Sequence, residues 1–236
     1  VSELPLRRAP VAGTTRTDAI TDVALTMPLF VAYHLGVIFL PVRNAADLVT
    51  SRLAELAAHS LALYLGLTLA LGAAVAGGLL FFGHRDKLRW ESFVLVALEG
   101  VLYAMAMRYV ASLAVSSLPL GPIPGLEQTP FGAVVMSLGA GFYEELAFRV
   151  VAFGLGARLL LSLDNWSPWV VYPLWALACA AGFSLWHHLG AMGEPFALKP
   201  FVFRTICGLV FTAIYRFRGF APAVWTHTLY DIWALT

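Results

Sequence analysis

Three short stretches of this chain set ionisable side chains inside otherwise apolar sequence. The run VVMSLGAGFYEELAFRVVAFGLG carries Glu144, Glu145 and Arg149 near its middle. At the centre of a membrane helix each of these would cost roughly 2.5 kcal/mol or more to insert. On a helix, Glu145 and Arg149 are four residues apart on one face, while Glu144 points about 100° away. Glu145 can therefore neutralise Arg149, which leaves Glu144 free. Gly139 and Gly141 precede the pair, and their missing side chains would let a neighbouring helix or an extended peptide come close to Glu144. The plainer alternative is an ion pair that only locks helices together.

The second stretch, ALACAAGFSLWHHLGAM, puts Phe183 and His187 one turn apart on one face, with His188 about 100° away. A lone histidine in an apolar helix is more often a hydrogen-bonded packing residue than a catalyst. The third, PAVWTHTLYDIWALT, carries His227 and Asp231 four apart, close enough for the side chains to touch. Here too a structural reading exists, in which Asp231 pairs with His227 and anchors the last helix. Three helices that each bring Glu, His or a His/Asp pair are harder to explain as independent packing choices.

The ordered set resembles the CAAX-protease and bacteriocin-processing family, whose members include the Ras-converting type of CAAX endopeptidase. Glu144-Glu145-Leu146-Ala147-Phe148-Arg149 is similar to its EExxxR motif, Phe183 through His187 to its FxxxH motif, and His227 through Asp231 to its HxxxN motif. The likeness covers about residues 130–235. It implies hydrolysis of a peptide bond within the membrane. Glu144 and His187 would activate water, and His227 with Asp231 would lie on the oxyanion side. Glu145, Arg149 and Phe183 would be supporting residues. The substrate implied is a membrane-associated peptide or protein, and the family name does not settle whether it is prenylated.

The motif departs from the family at one point, Asp231 in place of asparagine. An ionised carboxylate cannot donate a hydrogen bond to an oxyanion. Asp231 is then protonated, or orients His227 and holds its tautomer, or helps ligate a metal; orientation of His227 is the favoured reading. No cofactor is required by the pattern. A divalent ion such as zinc remains open, with Glu144, His187, His227 and Asp231 as its ligands, although the chain has no HExxH.

The elements that would carry these residues follow from composition. Of 236 residues 60% are hydrophobic and only 12% charged, against about 25% charged in an average soluble domain. The mean hydropathy is +0.79. Apolar runs near 23–41, 61–83, 93–115, 131–160, 169–190, 200–216 and 221–235 predict an all-α, polytopic membrane bundle of about seven helices. Residues 1–22 form a polar segment that does not resemble a cleavable signal. Residues 23–125 then supply N-terminal membrane helices, and 126–236 the catalytic region, the two forming one continuous membrane domain. The 42–60 connection reads as an interfacial amphipathic helix, and SSLPLGPIPGLEQTP as the clearest loop.

With the N-terminus in the cytoplasm, that side collects nine basic residues (Arg7, Arg8, Arg16, Arg85, Lys87, Arg89, Arg158, Arg216 and Arg218). The other side collects three (Arg43, Arg52 and Lys199), so the bias predicts N-in. The composition suits a multi-pass membrane protein, and the expected setting is a prokaryotic cell membrane. A net charge of +1 and scattered cations exclude a nucleic-acid surface. Cys179 and Cys207 read as core packing, His34 and Glu99 as isolated structural groups, and the tryptophans as interfacial or packing aromatics. On this topology His187 lies near the outer end of its span and His227 nearer the cytoplasmic end, so a shared site requires helices to tilt or shift in depth. Two other classes stay open: a non-hydrolytic immunity or assembly factor that binds peptide, and a proton- or metal-coupled transporter.

Overall fold

A computed structural model describes residues 19–40, 43–57, 60–82, 89–116, 129–190 and 193–235. Among them the secondary structure is entirely helical. Helix α1 spans Ala19–Gly36 and runs on as a short 3-10 turn, Val37–Phe39. Helices α2 (Leu48–Leu56), α3 (Leu61–Phe82) and α4 (Trp90–Val115) follow. Then α5 (Pro130–Gly139) leads into π-helical stretches at Ala140–Glu144 and Leu146–Leu155, and α6 (Gly156–Leu163) completes the same long rod. The chain ends with α7 (Pro168–Trp186), α8 (Leu198–Phe217) and α9 (Phe220–Leu235).

Among the described residues, six helical segments are long and apolar enough to cross a bilayer: Ala19–Phe39, Leu61–Leu79, Trp90–Val115, Pro130–Leu163, Pro168–Trp186 and Leu198–Phe217. The seventh apolar run, α9, has 16 residues. At 1.5 Å per residue it is about 24 Å long, short of a ~30 Å hydrocarbon core. It lies inside the bundle, where α1, α4, α5 and α8 pack against it. Charged loop residues on which the inside-outside bias rests, including Arg7, Arg8, Arg16, Arg85 and Lys87, fall outside the described residues, as does most of the Pro-Gly loop before α5.

Local chemistry explains where the site-bearing helices begin. Thr129 caps α5 by accepting from the Gly132 N–H at 3.1 Å, and Pro130 occupies the first helical position, where a missing N–H costs nothing. α1 includes residues before the hydropathy edge at 23, among them the buried Thr21 and Asp22. The Asp22 carboxylate accepts from the Phe220 N–H at 2.7 Å, so a side chain of the first helix caps the last one. Between α8 and α9 the chain turns through Gly219 at φ 120°, and a Cβ there would strike the same Asp22 carboxylate. The predicted amphipathic connector contains α2, capped by Asp47, which accepts from Thr50 N–H at 2.8 Å. Leu53 faces inward there, while Leu48 and Leu56 remain exposed.

Two close approaches set the spacing around Glu144. A Cβ on Gly139 would enter the Tyr33 ring of α1, and one on Gly141 would meet the Thr228 side chain of α9. The neighbours admitted by these glycines are therefore the protein's own helices. Glu99, read as isolated, is paired instead: Arg218 Nε and Nη2 donate to its two carboxylate oxygens at 2.6 and 3.0 Å, tying α4 to the α8–α9 junction.

Candidate active site

The π-helical rod presents its two glutamates to different partners. Glu145 is fully buried, with Oε1 2.7 Å from His227 Nδ1 and Oε2 3.1 Å from Arg149 Nε. The first contact is a hydrogen bond, and since an ionised carboxylate only accepts, Nδ1 donates. The second has the distance of an ion pair without hydrogen-bond geometry. The Arg149 guanidinium lies 4.4 Å from the Phe183 ring centre and 5.0 Å from that of Phe211, so aromatic faces complete its surroundings. Glu145 and Arg149 thus sit together, as helical spacing suggests. The i→i+5 coil widens the rod here, and Trp175 Nε1 donates to the Ala152 carbonyl at 2.9 Å in that stretch.

Glu144 turns the other way. Its Oε1 accepts from Asn44 Nδ2 at 2.9 Å. Its Oε2 is buried with no hydrogen-bond partner among the described residues, and stands 3.8 Å from His187 Nε2. His187 is the residue that ends α7, and its Nδ1 is 2.9 Å from the Phe183 carbonyl. A carbonyl can only accept, so Nδ1 donates, and in the neutral ring Nε2 keeps its lone pair toward Glu144. The His187 side chain is 26% exposed against 8% for Glu144, so the pair lies where a buried base meets an accessible ring.

His227 and Asp231 form the next layer of the same cluster. His227 Nε2 is 3.4 Å from Asp231 Oδ2, the looser of its two carboxylate contacts. Its ring stacks on Phe211 with centres 4.5 Å apart. The depth conflict between His187 and His227 is resolved by Phe183, whose ring centre is 5.0 Å from the first and 5.8 Å from the second. α7 stops just past Phe183, and α9 enters the bundle far enough to bring His227 to that level. His188 is elsewhere, with Nδ1 donating to the Glu194 carbonyl at 3.1 Å.

The donors proposed for a metal do not fit one. Glu144 and His187 make one pair and His227 and Asp231 another, and both nitrogens of His227 already face carboxylates. Among the described residues no group of three His, Cys, Asp or Glu side chains is placed to hold an ion. The N-terminal half, in contrast, adds residues that no motif announces. Tyr33 donates to Asp47 at 2.7 Å and accepts from the Asn44 N–H at 3.3 Å. His34 bridges Tyr143 (2.7 Å) and Thr50 (3.2 Å). Asp47 three residues before Thr50 is a legible cap signal, but nothing in the sequence links Asn44 to Glu144.

A bundle of apolar helices thus encloses a buried Glu/His pair beside a second histidine held between two carboxylates. Residues 126–233 match the family model described as Type II CAAX prenyl endopeptidase Rce1-like. No curated protein and no solved structure matches the chain. The region from α5 to α9 belongs to the CAAX-protease and bacteriocin-processing family of membrane proteases, and the chain is an integral multi-pass membrane protein.

Proposed function

We propose that this protein is an intramembrane endopeptidase that hydrolyses a peptide bond of a membrane-associated protein or peptide with a glutamate-activated water. The observation that carries the reading is the buried Glu144 Oε2, without a hydrogen-bond partner among the described residues, facing Nε2 of His187 across 3.8 Å. Two acceptors at that separation suit one water that donates to both. Glu144 takes a proton from that water as its oxygen attacks the scissile carbonyl carbon. The carbonyl π electrons move to oxygen on the side of His227, which Glu145 and Asp231 hold in place. Collapse of the tetrahedral species breaks the C–N bond, and the proton held by Glu144 passes to the departing amine, with His187 assisting. Because the donor set is split into two pairs, the hydrolysis is assigned no metal. Chelator should leave turnover unchanged.

The test is to map peptide ends in membranes of cells that express the wild type or Glu144→Gln at equal levels. New ends that appear only with the wild type support the reading. Identical ends from the two proteins, with both inserted and folded, overturn it in favour of a peptide-binding factor. Metal analysis of the purified protein addresses the cofactor separately.

A further inference from the structure

One residue in contact with Glu144 lies outside all three motifs and outside the region that matches the family. Asn44 stands 100 positions earlier, in the segment between α1 and α2, and is only 9% exposed. Its orientation is fixed from several sides. Asn44 Oδ1 accepts from the Ala46 N–H at 2.8 Å, which assigns the other amide atom as the donor to Glu144. Its own backbone N–H donates to Tyr33 Oη, and Tyr33 in turn donates to the Asp47 carboxylate that caps α2.

The two oxygens of a carboxylate are equivalent in water, and a general base works through one lone pair aimed at one proton. Here they are made unequal, since Oε1 is held by the Asn44 amide and Oε2 is left toward His187. A neutral amide anchors the group without the counter-charge that Arg or Lys would bring. We infer that Asn44 is a positioning residue, which holds Glu144 by Oε1 so that Oε2 is the oxygen presented to the nucleophilic water. The site is then built by both halves of the chain. This rests on the protease reading above.

Asn44→Asp separates the role from simple packing. It is nearly isosteric and keeps the acceptor for Ala46, but replaces the donor facing Glu144 with a second carboxylate oxygen. With full-length protein in nanodiscs and a quenched peptide ending in a farnesylated CAAX sequence, kcat should fall by about 100-fold, the scale of a misplaced catalytic group. KM should stay within about twofold, because ground-state binding is untouched. A second readout needs no turnover: Asn44→Asp should lower the melting temperature in detergent. The double variant Asn44→Asp/Glu144→Gln should regain it, since the introduced glutamine amide can donate to the new carboxylate. Near-wild-type cleavage by Asn44→Asp, with Glu144→Gln inactive, overturns the inference and leaves the protease reading standing. Cleavage by Glu144→Gln instead overturns that reading. If Asn44→Asp is too unstable to assay, or the wild type does not cut this peptide, the melting cycle decides, and a double variant no more stable than Asn44→Asp overturns the contact.

Discussion

The segment from α1 to α4 and the segment from α5 to α9 build the same polar interior from opposite kinds of sequence. In the second, chemistry is concentrated: Glu144, Glu145, Arg149, His187, His227 and Asp231 lie on three lengths of helix with regular spacing. In the first it is dispersed over Tyr33, His34, Asn44, Asp47 and Thr50, mostly near a helix end or in a connection, and it becomes a network only where these meet the π-helical stretch Ala140–Glu144. The contrast continues within the first segment. α1 is packed into the bundle, whereas several α3 glycines, Gly66, Gly72, Gly77 and Gly78, face open space. Dense motif content therefore marks the groups proposed to react, and a motif-poor helix can still hold them in place.

The comparison can be broken most directly at its centre. Removing the base with Glu144→Gln should reduce peptide cleavage by about 10²- to 10⁴-fold, the range for a positioned general base, while thermal unfolding in detergent shows a folded protein. Arg149→Met should act on stability more than on chemistry. It strips a fully buried carboxylate of its cation, and breaking such a pair costs about 3–5 kcal/mol, read from denaturant unfolding. If Arg149→Met is as stable as wild type, the Glu145 cluster is not what holds the rod to α9. Tyr33→Phe tests the dispersed half. It removes a hydrogen bond to Asp47 and the acceptor of the Asn44 N–H, for a loss of about 1–3 kcal/mol. It should also lower kcat through Asn44. Full activity in a destabilised Tyr33→Phe protein would confine the first half to scaffolding. The smallest effect is expected at the partly exposed Glu99–Arg218 pair, where Glu99→Gln should cost less than about 1 kcal/mol and leave cleavage unchanged.

Much of the fold was legible because lipid imposes a single rule on the backbone. Uncharged runs of sufficient length must be helices, and the seven runs read from hydropathy correspond to α1, α3, α4, the α5–α6 rod, α7, α8 and α9. One edge differs: α7 ends at Trp186 rather than 190, with His187 at its C-cap facing Glu144. The glycines before Glu144 signalled a close approach correctly in kind. Their occupants, Tyr33 and Thr228, were not legible, since a missing side chain says nothing about what fills the space.

What the sequence determined by itself was the environment, the helices and the identity of the ionisable groups, because insertion cost and helical spacing act locally. It also separated Glu145, four residues from Arg149, from Glu144. Only the tertiary structure decided that Glu145 shares its carboxylate with His227, that Glu144 faces His187 on one oxygen and Asn44 on the other, and that α9 is an interior helix. Those contacts join residues about 40 to 100 positions apart. Their geometry depends on how rods of fixed length pack, which no local spacing encodes.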